Sequence, residues 1–227
     1  MATTLKKTLV TKNKTATGAV RKPARRPLKK AAAKPDRPLA ARLPALTEDG
    51  LDATQRELLA AMRAGPRGDR VRLGGPFGVY MHAPGYGALQ QELGAFVRFG
   101  TSLPPRLSEF AILCTARMWR AQYEWHAHAP IAEGAGVKAA VIADLKAGRA
   151  PKRAPGDERA IFDFVHELYA RRRVSDRTYK RVQGVVGDRG MVELVGILGY
   201  YVSVSMILNV FNVPLPEGAA RHFPEPK

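Results

Sequence analysis

The sequence predicts an all-α body behind a long basic tail. Three features of the chain point that way. No stretch sustains the apolar–polar alternation of a half-buried strand. Apolar residues recur instead at three- and four-residue spacing, with Gly, Pro, Ser and Asp placed where helices should start and stop. The charge is also lopsided. Residues 1–46 hold 13 Lys and Arg against one acid, Asp36, while the rest of the chain holds 24 basic and 19 acidic residues. Most of the formal net charge of +17 therefore belongs to the tail.

The tail, 1–46, is rich in Lys, Ala, Thr and Pro and has no apolar periodicity. It buries too little apolar area to offset its ordering entropy and is expected to be disordered. Its charge suits weak contact with nucleic acid or another anionic surface, and such contact must weaken steeply with salt. No aromatic is interleaved for base stacking. The near absence of acids fits an organellar transit peptide, whereas the prolines and the lack of Ser do not. No apolar run of secretory length lies near the start, so a cytoplasmic protein is expected. Residues 47–227 are expected to form one domain around one core.

Helices are predicted in order. Residues 51–65 place Leu51, Leu58, Leu59 and Met62 near helical spacing, with Gly65 as a stop. Residues 66–85 are turn-rich and read as a long loop, suited to a lid or an inter-subunit contact. A helix follows at 86–99. Thr101 or Ser102 is the expected cap of the next, with Pro104 and Pro105 at its first turn. That helix continues through "LSEFAILCTARMW", apolar on most sides and hence buried. Further helices are expected at 122–134, 137–147 and 157–173, the last with Ile161, Phe164, Val165 and Leu168 on one stripe. Ser175 caps another. The final segment is apolar for about 20 residues, long enough to span a bilayer. It contains Glu193, Gly196, Gly199 and Asn209, and no partner span exists elsewhere. A core or oligomer-interface helix is expected, with no membrane contact.

The chemistry concentrates in "YEWHAHAP", 123–130. Residues four apart share a helix face, so Glu124 and His128 meet while His126 points away. Pro130 removes one backbone donor and complicates the pairing. The pair can be an ordinary surface hydrogen bond or a proton-transfer couple, in which the carboxylate fixes the tautomer of the imidazole. Glu109 lies on the preceding apolar helix, and two acids and a histidine in one apolar pocket make a working acid–base site. Metal binding lacks ligands at this spacing. Cys114, the one cysteine, excludes an intrachain disulfide and sits among apolar residues that favour an inert thiol.

The stretch "LPPRLSEFAILCTARMWRAQYEWHAHAPIAEGAGV" resembles the core motif of the carboxymuconolactone decarboxylase family, grouped with alkylhydroperoxidase D-like proteins. The resemblance runs over about residues 74–218. Redox members carry Cys-x-x-Cys ahead of the motif histidine; with that histidine at His128, the cysteine positions fall on Ala121 and Glu124. The upstream glutamate of the relay falls on Glu109 and the helix-closing glycine on Gly136. The decarboxylase pattern reads Glu-x-x-x-His, which Glu124 and His128 match. Peroxidase activity is not expected, because no resolving thiol exists.

The resemblance implies an alkylhydroperoxidase D-like helical bundle, assembled as a trimer or hexamer with the pocket near a subunit interface. It implies a lyase acting on an unsaturated lactone or related small-molecule carboxylate, with no cofactor and no metal. His128 shuttles the proton, Glu124 orients it, and Glu109 is a second acid or base. Arg106 and Arg117 are candidates to hold the substrate carboxylate, and His82 to close over the site. The alternative is a non-catalytic oligomeric binding or scaffold protein, attached to nucleic acid through its tail.

Overall fold

Residues 39–224 are described by a computed structural model. Most of the expected tail, residues 1–38, lies outside the described residues, as do 225–227. Among the described residues there are eight α-helices and no strand. They are α1 (Ala53–Ala64), α2 (Gly75–Tyr80), α3 (Pro84–Phe99), α4 (Pro105–Trp119), α5 (Gln122–Gly134), α6 (Ala139–Lys146), α7 (Gly156–Arg171) and α8 (Asp176–Val210). The expected all-α class is the observed one.

Helix α4 is the axis of the body. Every residue from Leu107 to Ala116 is buried, so the helix is surrounded on all sides. Around it pack α5, α6, α7 and α8. Phe110 and Leu113 of α4, Trp125 of α5, Ile161 and Phe164 of α7, and Leu194 and Ile197 of α8 belong to one core cluster. A second, smaller cluster joins Leu58, Leu59 and Met62 of α1 to Tyr80 and Met81. Residues 39–46 run along the body. The Arg42 backbone N–H donates to Phe211 O at 3.0 Å, and its guanidinium caps the end of α8 at Val210 O, 2.6 Å away.

Local sequence explains most boundaries. Asp52 and Gln55 make a reciprocal capping box at the start of α1. Ser175 accepts from Thr178 N at the start of α8. After α5, Gly136 takes φ +103°, and the N–H groups of Gly136 and Val137 return to Glu133 O and Ala132 O. This is a Schellman closure, which a Cβ would strain.

Three expectations are corrected. The turn-rich stretch 66–85 is not a long loop: it holds a 3₁₀ turn at Gly68–Arg70, all of α2 and the first residues of α3. Proline at the first or second position starts both helices at no cost in hydrogen bonds. Neither Thr101 nor Ser102 caps α4, whose N-cap position is Pro104. The Ser102 backbone N–H and hydroxyl both donate to Glu193 Oε2 of α8 at 2.6 Å. Those bonds, with Arg189 beyond them, hold the Glu193 carboxyl down at about 2. The last two expected segments are one continuous element, bent at Gly187, which has φ +69° and ψ 179°. Helix α8 is long and apolar enough to cross a membrane by length and composition. Here Leu194, Ile197, Leu198, Tyr201, Val204 and Leu208 of that helix are buried in the protein core.

Phe110→Ala should lower the unfolding free energy by about 3–5 kcal/mol, because α4 cannot collapse into the void from any side. Lys180→Ala, on an exposed position of α8, should change it by less than about 0.5 kcal/mol. Urea unfolding followed by circular dichroism checks both.

Candidate functional site

Packing of α5 on α4 brings three ionisable side chains together inside the core. His128 Nδ1 lies 2.6 Å from Glu109 Oε2 and is hydrogen-bonded to it. His128 Nε2 lies 3.0 Å from Glu124 Oε1, one turn back on the same helix. All three residues are at most 5% exposed. The ring of Tyr201, from α8, stands edge-on to the imidazole at 5.1 Å and 84°.

Burial and charge act on His128 in opposite directions. Burial alone pulls the imidazole down, because the charged form loses water. The carboxylates of Glu124 and Glu109 more than reverse that, and the result is about 9. At neutral pH His128 is therefore an imidazolium, with Nδ1–H donated to Glu109 and Nε2–H directed at Glu124. A buried cation between two buried acceptors is both a proton donor and a place to return a proton.

Of the residues singled out from sequence, the structure joins Glu109, Glu124 and His128 and leaves the others apart. His126 turns outward, its Nδ1 3.4 Å from Nε2 of His222. The guanidinium of Arg106 is taken up by Asp157 and Glu158 of α7. Arg117 donates to Lys146 O at 3.0 Å and lies 5.3 Å from the centre of the Phe223 ring. His82 is exposed, with Nε2 3.1 Å from Pro44 O. In this state none of Arg106, Arg117 and His82 reaches the acid–base cluster; each is held by a nearer partner. Cys114 is buried in α4, and burial pushes its thiol far above the ordinary range.

Among the described residues no group of three or more His, Cys, Asp and Glu has the arrangement of a metal site. The two glutamates approach opposite nitrogens of one ring, so their oxygens diverge instead of converging on a point. Two cavities are open elsewhere. A groove of about 490 Å³ has Trp119, Tyr123 and Leu208 in its wall, and a smaller one of about 120 Å³ has Cys114 and His166. Neither is lined by Glu109, Glu124 or His128. Sequence reading missed Tyr201. Its signal was present in "GYYVS", a phenol pair inside an otherwise aliphatic run.

Compared with known proteins, the chain matches no family model and no curated protein. The geometry of the site therefore stands by itself.

A group whose folded-state pKa is raised stabilises the fold fully below its unfolded value, and that stability is lost as pH rises through the folded value. For His128 the window runs from 6.5 to about 9. Across it, the unfolding free energy of the wild type should fall by on the order of 3 kcal/mol, and that of His128→Gln by much less. Urea titrations at stepped pH measure this, and an imidazole NMR signal with a midpoint near 6.5 would contradict it.

Proposed function

We propose that this chain is a carboxymuconolactone decarboxylase-like lyase with an alkylhydroperoxidase D-like bundle, using acid–base chemistry on an unsaturated lactone or related carboxylate. The single observation behind this reading is one buried imidazole held between two carboxylates on adjacent helices. In the reaction the bond from the substrate carbon to its carboxylate breaks and CO₂ leaves. The electron pair left on carbon takes a proton from His128. A second proton, taken up from solvent, then restores the imidazolium. Glu109, with the shorter contact, fixes the ring through Nδ1, and Glu124 faces the Nε2–H that is exchanged. On this reading Glu109 takes the orienting role that the resemblance implied for Glu124. No thiol takes part in any step.

The same reading includes a homo-oligomer, a trimer or hexamer. Helix α3 exposes Tyr86, Leu89, Leu93 and Phe96 at three- and four-residue spacing, and α8 exposes Val192, Val195 and Met206. The two helices are neighbours, with the Tyr86 and Ser203 hydroxyls 3.4 Å apart. An apolar face shared by two helices favours a covering partner. It equally suits the second reading, a non-catalytic oligomeric scaffold whose basic tail holds nucleic acid, as multivalent tails would gain avidity.

Turnover separates the two readings. Release of CO₂ from carboxymuconolactone should fall by about a hundredfold or more in His128→Gln, the scale of a lost general acid. Circular dichroism should remain that of a helical protein. No release by the wild type favours the scaffold. Light scattering should give a trimer or hexamer for the wild type and a smaller species for Leu89→Asp/Val192→Asp; a monomeric wild type would remove the oligomer.

A further inference from the structure

His126 turns away from the acid–base cluster and meets the far end of the described chain. Its Nδ1 lies 3.4 Å from Nε2 of His222, with the ring centroids 5.5 Å apart and the planes tilted by 34°. The rings therefore approach edge to edge through one nitrogen each and are not stacked. Both residues are half-buried and keep part of their surface in solvent. A hydrogen bond across 3.4 Å is a long one.

The backbone around His222 is fixed by the same helix that carries His126. Gln122 lies one turn before His126 on α5 and shares its face. Its Oε1 accepts from the backbone N–H of His222 at 2.8 Å and of Phe223 at 3.1 Å. Its Nε2 donates to Phe223 O at 2.6 Å. The buried Phe223 ring stands edge-on to Trp125 at 5.2 Å, with the Arg117 guanidinium over it. Three hydrogen bonds and an aromatic contact thus hold a second imidazole against the first, 96 residues away in the chain. Burial brings the His222 imidazole down to about 4, with Lys146 and His126 adding to the effect. The ring is neutral at neutral pH, which is the form that binds metal.

We propose that His126 and His222 form a two-ligand site for a divalent transition-metal ion of the zinc and copper class. Imidazole nitrogens bind zinc at about 2.0–2.1 Å. Two such bonds ending 3.4 Å apart meet at roughly 110°, close to the tetrahedral angle. Each metal–nitrogen bond then lies about 35° off the line joining the nitrogens, a turn that the broad χ2 well of histidine allows. The ion takes the place of the hydrogen-bonding proton, and each ring keeps its own proton on the far nitrogen. Water fills the remaining positions. Lys146 brings a cation near His222 and opposes a second one, so an ion with little liking for imidazole, such as Mg²⁺, is not held. Once bound, the ion cross-links the segment that carries His222 to α5. The site shares no ligand with the acid–base cluster and does not rest on the lyase reading.

Zn²⁺ added to the full-length, untagged chain is the probe, with Mg²⁺ as the control. In the wild type Zn²⁺ should saturably shift the NMR signals of His126 Nδ1 and His222 Nε2 and raise the thermal midpoint, whereas Mg²⁺ should do neither. By calorimetry, Cu²⁺ should bind more tightly than Zn²⁺. His126→Gln and His222→Gln should each weaken Zn²⁺ binding about a hundredfold, as a lost ligand costs at least as much as a lost outer-shell partner. Gln122→Ala, which releases the backbone of His222, should weaken it about tenfold. Lys146→Gln should tighten it. His128→Gln should keep the Zn²⁺ affinity, which places the ion away from the acid–base cluster. Zn²⁺ affinity unchanged in both His126→Gln and His222→Gln, or imidazole signals that Zn²⁺ does not move, overturns the site and leaves the pair a hydrogen bond. Should either variant fail to fold, the wild-type imidazole signals decide by themselves.

Discussion

The contact on which the molecule is organised is the one between His128 and its two glutamates. It lies in the core, where water screens it less than at the surface, so each carboxylate acts strongly on the imidazole. Charges in such a place are tolerable only if the geometry is fixed. Much of the body serves that end. Ten consecutive buried residues lock α4 in rotation, which aims Glu109. The Gly136 closure sets the end of α5 and, through it, the height of His128. Tyr201 packs edge-on against the ring.

A glutamate at position 124 differs physically from a thiol at the same place. The physical difference is large. A thiol there would do electron-pair chemistry with a second sulfur. Glu124 holds a proton on its neighbour instead. Cys114 offers no such chemistry, because its burial keeps it a thiol.

Much of this was legible in the residues, and for identifiable reasons. The i, i+4 rule brought Glu124 to His128 and turned His126 away, since helix geometry is local. The bounds of α5 and the Ser175 cap are likewise local features. The approach of Glu109 to Nδ1 depends on how two helices pack, and a run of apolar residues says only that they do. Arg106 and Arg117 looked available because sequence does not reveal partners fifty or thirty residues away, Asp157 and Lys146 among them. Ser102 failed as a cap for the same reason: Glu193 on a distant helix bound it better.

The pairing within the cluster also constrains how descendants of this chain can change. Each nitrogen of the buried imidazole is matched to one glutamate oxygen. Losing either glutamate leaves one of those nitrogens buried without its acceptor. Losing the histidine leaves two carboxylates facing each other, which the core resists. The three positions are therefore coupled: a change at any one alters what the core requires of the other two.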